Sequence, residues 1–351
     1  MEQIGRPNRV FTGALAMLLL GVVLYVAQTV ILPVVLAAFL AVLINPILQR
    51  LHKYLPSWLS LGLVLLALAI ALIGGTTLFA TTLYQVGLEI PVYVARFETE
   101  FQGLVDWGAK YGVDLSWEQV GTKESLSYLL QFVGSGLGSV ATVVGQLVII
   151  LFIMVFMVFE ARQFGRKVDA AFSSGVSEQV RESALAIIDQ IQRYIVTKMF
   201  ISLLSGFCMF VICLAFQVDF AFFWGALAFA LNFVPNIGSI IAILPPSLIA
   251  FLQHHSAGWA AALLAVLVTV QLIIGNVLEP KVMSRSMSLS TLVVFLSMIF
   301  WGWLWGIVGV VLSVPLTVAA KIICQHVPGL EPVAILLGEE PPSPSTARSA
   351  L

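Results

Sequence analysis

Residues 10–48 read VFTGALAMLLLGVVLYVAQTVILPVVLAAFLAVLINPIL and contain no charged side chain. The hydrocarbon core of a bilayer is ~30 Å thick, so a helix needs ~20 apolar residues to cross it. The stretch is therefore long enough for two crossings, 10–28 and 30–48, with Pro33 near the start of the second. We expect these two spans to form a tight helical hairpin.

Apolar blocks of similar length recur along the chain as far as Ala320. Hydrophobic residues make up 60% of the chain and charged residues 10%, and most of the charges lie between the blocks. A chain this apolar leaves too little polar surface for a soluble domain. The sequence predicts an all-α, polytopic helical membrane protein with about eight transmembrane spans, including two long segments that are interrupted or form hairpins.

The alternation of apolar blocks and charged connections predicts the domain organisation. It comprises three N-terminal spans in 1–83, an external helical segment in 84–136, a fourth span in 137–160, a cytoplasmic amphipathic segment in 161–193, a C-terminal transport core with broken helices in 194–322, and a disordered cytoplasmic tail in 323–351. Arg6, Arg9, Arg50 and Lys53 lie on one side of the first hairpin, and the positive-inside rule makes that side cytoplasmic. Both termini are then predicted to be cytoplasmic.

The external segment 84–136 is acidic and has two helical patterns. Ile90, Val94 and Phe97 recur at steps of three and four, which predicts an amphipathic helix beginning near Pro91. Ser116 with a glutamine three residues later is typical of a capping box. This pattern predicts a second, short helix from Trp117.

Residues 220–252 and 289–321 are each too long for one straight crossing. The first segment is interrupted by Asn232-Phe233-Val234-Pro235-Asn236-Ile237-Gly238, and the second carries Gly302, Gly306 and Gly309 at its centre. Proline removes a backbone donor and glycine loosens a helix, so both patterns favour a break. Each segment is either a discontinuous crossing or a hairpin. The loop 279–285 is cytoplasmic if both are hairpins and external if both cross once.

The interruption at 232–238 is the sharpest local signal for a substrate pathway. Asn232, Asn236 and the carbonyls freed near Pro235 would give a polar lining suited to a polyhydroxylated solute or a monovalent cation. The competing interpretation is a kink that only packs, since proline and glycine are common in membrane helices. The glycines at 302, 306 and 309 likewise indicate either close helix packing or a hinge.

Glu279 is the best titratable candidate for coupling or gating. It lies three residues after Asn276, so the two are expected to share a face at the end of a span that Pro280 terminates. A carboxylate at a membrane boundary is also commonly an interfacial anchor or a partner of a nearby cation, here Lys281 or Arg285. Both interpretations of Glu279 remain open at this stage.

Enzyme, metal and nucleic-acid chemistry find no support in the sequence. The chain contains no HExxH, GxGxxG, GxxxxGK[ST] or GxSxG pattern, which argues against an enzyme, a bound metal or a cofactor. Its net charge of −1 and the lack of a basic block argue against a nucleic-acid partner. Cys208, Cys213 and Cys324 are read as small apolar residues.

An ordered set of residues in the second half resembles the autoinducer-2 exporter family of multi-pass permeases. The set comprises Tyr194, Val234-Pro235-Asn236-Ile237-Gly238, Pro245-Pro246, Gln271, Glu279-Pro280, Gly302, Gly306, Gly309 and Pro315. The resemblance implies about eight spans in the inner membrane of a bacterium, cytoplasmic termini and a homo-oligomer. It also implies export of the quorum-sensing furanone autoinducer-2, or, as in some members, exchange of sodium or lithium for protons. The family commonly has Tyr or a similar residue where this chain has Asn236.

Three functional hypotheses follow. The leading one is export of a small polar solute along a path lined by Asn232–Gly238, Gln271, Asn276 and the segment Gly302–Gly309, with Glu279 as the coupling or gating element. The second is a sodium(lithium)/proton antiporter. The third, of a different class, is a non-transporting membrane scaffold that binds partners through segments 84–136 and 161–193.

Overall fold

The protein is described by a computed structural model over residues 18–19, 21–110, 122–172, 174–234, 237–283, 289–327 and 329–338. These residues are almost entirely helical, with one isolated bridge between Leu289 and Gly338. The helices are α1 Gln28–Leu51, α2 Ser57–Lys110, α3 Thr122–Ala171, α4 Ser174–Ala215, α5 Ala221–Leu231, α6 Ile237–His254, α7 Ala257–Leu272, a π-helical turn Ile273–Leu278, α8 Glu279–Met283, α9 Thr291–His326 and α10 Glu331–Leu336.

Six helical stretches within the described residues are long and apolar enough to cross a membrane. They are Gln28–Leu51, Ser57–Gly103, Thr142–Ala161, Gly175–Ala215, Ala257–Val282 and Thr291–His326, and two shorter apolar helices cover Ala221–Leu231 and Gly238–His254. The prediction of a polytopic helical membrane protein is confirmed.

Several helices continue well past their apolar parts. α2 has 54 residues, which is about 80 Å at 1.5 Å per residue. Pro91 lies inside α2, so the prediction of a new helix starting near it is wrong. A proline removes one intrahelical hydrogen bond, but Ile90 packs against a hydrophobic core and helps to hold the helix together there. The predicted capping box at Ser116 lies outside the described residues.

The chain divides into two compact units, which we describe separately. Unit 1 comprises Met1–Arg50, Ile149–Val196 and Arg285–Leu351, and unit 2 comprises Leu51–Val148 and Thr197–Ser284. The core of unit 2 combines residues of α2, α4, α5, α6 and α7. Its buried members include Leu83, Met209, Trp224, Ala250 and Leu263.

Residues 220–252 form a helical hairpin in unit 2. At the base of the hairpin, the Gln253 side chain donates to the Gln217 carbonyl at 2.9 Å and accepts from the Asp219 backbone N–H at 3.1 Å. The end of α6 therefore returns to the start of α5. At the tip, a Cβ on Gly238 would lie 1.8 Å from the Leu231 carbonyl oxygen, so only glycine fits there.

Residues 289–321 form a second hairpin, in unit 1. Trp301 Nε1 donates to Thr317 Oγ1 at 3.3 Å, whereas a straight helix would separate two residues 16 positions apart by about 24 Å. The reversal occurs at Trp305 and Gly306, whose backbone is not helical, and Gly306 has a φ of 62°. A Cβ on Gly309 would lie 1.8 Å from the Trp301 carbonyl oxygen. Pro315 is fully buried in the second arm.

The first part of the predicted disordered tail, 323–327 and 329–338, is ordered in the structure. α9 continues to His326, and α10 follows at Glu331–Leu336. The Ser290 N–H donates to the Leu337 carbonyl at 3.2 Å, which ties this region to the start of α9. Residues 323–338 of the predicted tail are thus largely helical, and 339–351 lie outside the described residues.

Candidate functional site

One face of α4 carries a line of buried polar side chains within unit 2. Lys198, Ser202 and Ser205 follow one another at steps of four and three, which places them on the same side of the helix. Their exposed fractions are 2%, 0% and 1%. Buried polar groups need partners in a dry interior, and each of these three side chains binds a different residue. We call the three residues the α4 polar face.

Lys198 forms an ion pair with Glu279. Its Nζ lies 2.5 Å from Glu279 Oε1, and the exposed fractions of the two side chains are 2% and 21%. An unpaired charge at this depth would be costly, whereas a paired one is tolerated. Glu279 therefore pairs with a cation from another helix. Of the two nearby cations that the sequence offered as partners, Lys281 is exposed and Arg285 lies outside the described residues.

The π-helical turn 273–278 directly precedes Glu279 and positions it for this ion pair. The Glu279 N–H donates to the carbonyl of Ile274, five residues earlier. Pro280 follows directly and has no N–H to donate. π-Helical turns inside α-helices are frequent at functional sites, and this one ends at a buried ion pair.

Two neutral hydrogen bonds complete the α4 polar face. Asn232, at the end of α5, donates from Nδ2 to Ser202 Oγ at 2.9 Å. Gln271, at the end of α7, donates from Nε2 to Ser205 Oγ at 2.9 Å. Both amide side chains are buried, with exposed fractions of 5% and 8%. The first hairpin, α7 and α8 thus each supply one polar group to α4.

Close packing brings the first hairpin within reach of α4. A Cβ on Gly206 would lie 2.7 Å from the Gly225 carbonyl oxygen, and one on Gly225 would lie 2.9 Å from the Gly206 carbonyl oxygen. Small residues at such crossings let helix backbones approach in a membrane. This contact between α4 and α5 positions Asn232 near Ser202.

A second set of bonds holds the base of the first hairpin against α2. Tyr93 donates to Asp219 Oδ2 at 2.5 Å, and His255 Nδ1 lies 2.7 Å from Glu100 Oε1. Tyr93 and Glu100 are seven residues apart, so they share a face of α2. The hairpin is therefore fixed to α2 at its base and to α4 at its tip.

The structure brings together three of the residues that the sequence singled out, namely Asn232, Gln271 and Glu279. Asn276 is exposed although Glu279 is mostly covered, so the expectation that they share a face is wrong. A π turn takes more residues than an α turn, and a step of three within it does not return to the same side. Lys281 is also exposed.

The remaining predicted residues lie elsewhere. Pro235, Asn236 and Arg285 lie outside the described residues. Gly238 forms the tight contact at the first hairpin's tip. Gly302, Gly306, Gly309 and Pro315 belong to the second hairpin in unit 1.

Sequence reasoning missed Lys198, Ser202 and Ser205. Lys198 falls at the start of a predicted span, where a lysine ordinarily reaches back to the membrane surface. The available signal was the spacing of one charged and two hydroxyl residues on a single face of an otherwise apolar helix. That spacing predicts a buried polar stripe.

No group of three His, Cys, Asp or Glu side chains that could hold a metal occurs among the residues that the structure describes. Cys208, Cys213 and Cys324 are free thiols. Cys213 packs in the core of unit 2.

Long apolar helices and helical hairpins define a multi-pass helical membrane protein. The chain belongs to the AI-2E transporter family, because residues 14–329 match the profile described as AI-2E family transporter.

Three relatives illustrate the membership. The AI-2 transport protein TqsA of Escherichia coli strain K12 is 33% identical over 334 residues, which cover 94% of this chain and 95% of that protein. A putative transport protein of Haemophilus influenzae is 30% identical over 338 residues, covering 95% and 97%. The putative transport protein YhhT of E. coli K12 is 28% identical over 327 residues, covering 93% and 92%.

Proposed function

We propose that this protein exports a small polar solute across the bacterial inner membrane by way of the α4 polar face. The observation that carries the proposal is the Asn232–Ser202 bond, which joins a hairpin tip to a polar helix face among otherwise apolar helices. Amide and hydroxyl groups provide both donors and acceptors for a hydroxylated solute. In the described conformation these groups bind each other, so a solute would replace those bonds as the hairpin moves.

Autoinducer-2 is the solute to test first. The name of the E. coli relative specifies AI-2 transport, and this furanone matches the polar groups on α4 in chemical character. Inverted membrane vesicles should take up autoinducer-2 in proportion to the amount of this protein in the membrane. Vesicles without the protein provide the baseline.

The decisive variant is Asn232→Leu, which removes the polar group from the hairpin tip while keeping a similar volume. Uptake should fall about tenfold, equivalent to ~1.4 kcal/mol. Thr269→Val is the matched control, because the Thr269 hydroxyl is exposed and bonds only to its own helix at Ala265. Wild-type uptake by Asn232→Leu at equal expression would reject the α4 polar face as the pathway.

A second candidate function is exchange of sodium or lithium for protons, and the buried Lys198–Glu279 pair favours it. Coupled exchange requires an ionisable group inside the membrane protein. A pH-sensitive dye inside vesicles should report proton movement when sodium or lithium chloride is added. A flat trace, with choline chloride as the reference salt, would count against this function.

The proposed orientation has both termini in the cytoplasm, and the proposed assembly is a homo-oligomer. The positive residues that flank the first two spans support the orientation. The homo-oligomer is what the resemblance to the autoinducer-2 exporter family implies. Native mass spectrometry of the detergent-solubilised protein would determine the number of subunits, and a monomer would reject the assembly.

A further inference from the structure

The short helix α10 leaves an apolar face uncovered in the described part of unit 1. Leu336 is 77% exposed and Ile335 is 49% exposed, whereas Ala334 is buried. Val327 and Leu330, in the connection before α10, are exposed as well. Large apolar side chains grouped on a surface mark a site that binds another apolar surface. The position of α10 in the fold indicates what that surface is.

The end of α10 lies where the chain enters the second hairpin. The Ser290 N–H donates to the Leu337 carbonyl at 3.2 Å, and Leu289 pairs with Gly338 in an antiparallel bridge. Ser290 is the residue immediately before α9, and the stretch Thr291–His326 is long and apolar enough to lie in a membrane. The C-terminal end of α10 is therefore placed at the membrane boundary and not out in bulk water.

The start of α10 lies close to the other end of the same hairpin. Residues 327–330 alone separate α10 from the end of α9 at His326, and the reversal at Gly306 returns that end to the side on which α9 begins. α10 has six residues, or about 9 Å at 1.5 Å per residue, which matches the ~8–10 Å between the axes of two packed helices. α10 thus connects the open ends of the two arms, with a length that suits a helix lying along the membrane surface.

The exposed face of α10 continues the lipid-facing surface of α9. In the first turns of α9, which follow the residue bonded to Leu337, three apolar side chains are more than half exposed, namely Leu292, Phe295 and Leu296. Exposed apolar side chains on a membrane helix contact acyl chains. Glu331, at the start of α10, is its one charged residue, and its carboxylate accepts a hydrogen bond from the Gly329 N–H at 2.8 Å. A helix with a charged beginning and an apolar end suits the boundary between headgroups and acyl chains.

We propose that α10 is an interfacial helix whose side chains Ile335 and Leu336 insert into the membrane that holds the second hairpin. The partner of this face is the lipid at the acyl-chain boundary, beside the first turns of α9. Because α10 carries one carboxylate and no basic residue, the attraction is hydrophobic and does not require anionic lipid. Through the bond between Ser290 and Leu337, α10 then fixes the open end of the hairpin at the membrane surface. This role belongs to unit 1 and is independent of the α4 polar face in unit 2.

The test places a nitroxide spin label at position 336 of the full-length protein in phosphatidylcholine liposomes. Leu336→Cys is made after Cys208, Cys213 and Cys324 are replaced, and the fold should tolerate it because the side chain is exposed. Electron paramagnetic resonance compares collisions of the label with oxygen, which concentrates in acyl chains, and with a nickel chelate present in the water on both sides. Oxygen should dominate, and the ratio should place the label about 5–10 Å inside the headgroup boundary. The same depth is expected when anionic lipid is added.

Two reference positions calibrate the measurement. Leu292→Cys, on the exposed first turn of α9, should report lipid, and Lys167→Cys, at an exposed charged position of α3, should report water. Nickel collisions at 336 equal to those at 167 would show that α10 faces water and would overturn the proposal. Weak collisions with both reagents would mean that protein covers α10, whether a second copy or another segment of this chain, and would overturn it too. Ile335→Cys gives a second label on the same face and should lie at a similar depth.

Discussion

The free energy that the hydrogen bond between Gln271 and Ser205 contributes to stability can be measured with a double-mutant cycle. Both side chains are buried, and each is the other's polar partner at 2.9 Å. We expect Gln271→Leu and Ser205→Ala each to lower thermal stability in detergent. The double variant should lose less than the sum, with a coupling energy of about 0.5–1.5 kcal/mol. Additive losses would mean that the bond does not contribute to stability.

Gly238 is predicted to be irreplaceable for steric reasons. Its missing Cβ would lie 1.8 Å from the Leu231 carbonyl oxygen, and a backbone atom cannot move aside as a flexible side chain can. Gly238→Ala should destabilise the protein by about 1–3 kcal/mol, the usual cost of inserting a methyl group into a packed site. The melting temperature in detergent measures the loss.

Gly62→Ala is the control for this prediction. Gly62 also lies in a helix, but an added Cβ there would meet nothing within 4 Å. The substitution should leave stability unchanged or raise it slightly, because alanine favours helix more than glycine does. Equal melting temperatures for Gly238→Ala and the wild type would contradict the described hairpin tip.

Single residues show where sequence reasoning succeeds. Asn232 and Glu279 were recognisable because an amide or a carboxylate is rare in an apolar segment and each lies next to a proline that interrupts the helix. Gln271 was singled out only through the family resemblance. The prediction that Asn276 shares a face with Glu279 was wrong because no sequence pattern indicates the π turn that rotates Asn276 away from Glu279. Lys198 was missed because its position at the start of a span has an ordinary explanation.

The reversal of the chain in the second hairpin can be tested by cross-linking its two arms. In a background without the native cysteines, Trp301→Cys and Thr317→Cys should be joined by a short bifunctional thiol reagent, because the wild-type side chains are hydrogen-bonded. A straight helix would hold the two positions about 24 Å apart, beyond such a reagent. Gel mobility after cleavage of the chain between the two positions reports the cross-link.

A pair with the same spacing on α2 serves as the control. Leu66→Cys and Thr82→Cys are also 16 positions apart, but they lie in one continuous helix. They should not be joined by the same reagent. If Trp301→Cys and Thr317→Cys are not cross-linked although both thiols are shown to be reactive, the reversal at Gly306 is rejected.

Sequence patterns found both interruptions but left their geometry open. Proline and glycine mark where a helix is weak, and a kink and a full reversal use the same residues. The reversal depends on contacts far apart in sequence, such as Gln253 with Asp219 at the base of the first hairpin. The opposite error occurred at Pro91, where tertiary packing of neighbouring residues keeps α2 continuous.

At the scale of the whole molecule, the two hairpins decide the predicted topology. A hairpin enters and leaves on one side of the membrane, so neither one changes the side of the chain that follows it. If Arg50 and Lys53 are cytoplasmic, as proposed, α2 leads outward, α3 returns, α4 leads outward and α7 returns. The loop after α8 then lies in the cytoplasm with Lys281 and Arg285, which agrees with the positive-inside rule.

Thiol labelling in intact cells tests this topology. With Cys208, Cys213 and Cys324 replaced, a cysteine at Lys281 should react with a membrane-impermeant maleimide only after the cells are opened. A cysteine at Thr99, on the exposed outer extension of α2, should react in intact cells. The opposite pattern at Lys281 would require an even number of crossings between Asp219 and Glu279, whereas α7 with a returning hairpin supplies an odd number. Since Glu279 lies on α8 two residues before Lys281, labelling at Lys281 also indicates the side of the membrane to which the Lys198–Glu279 pair is closer.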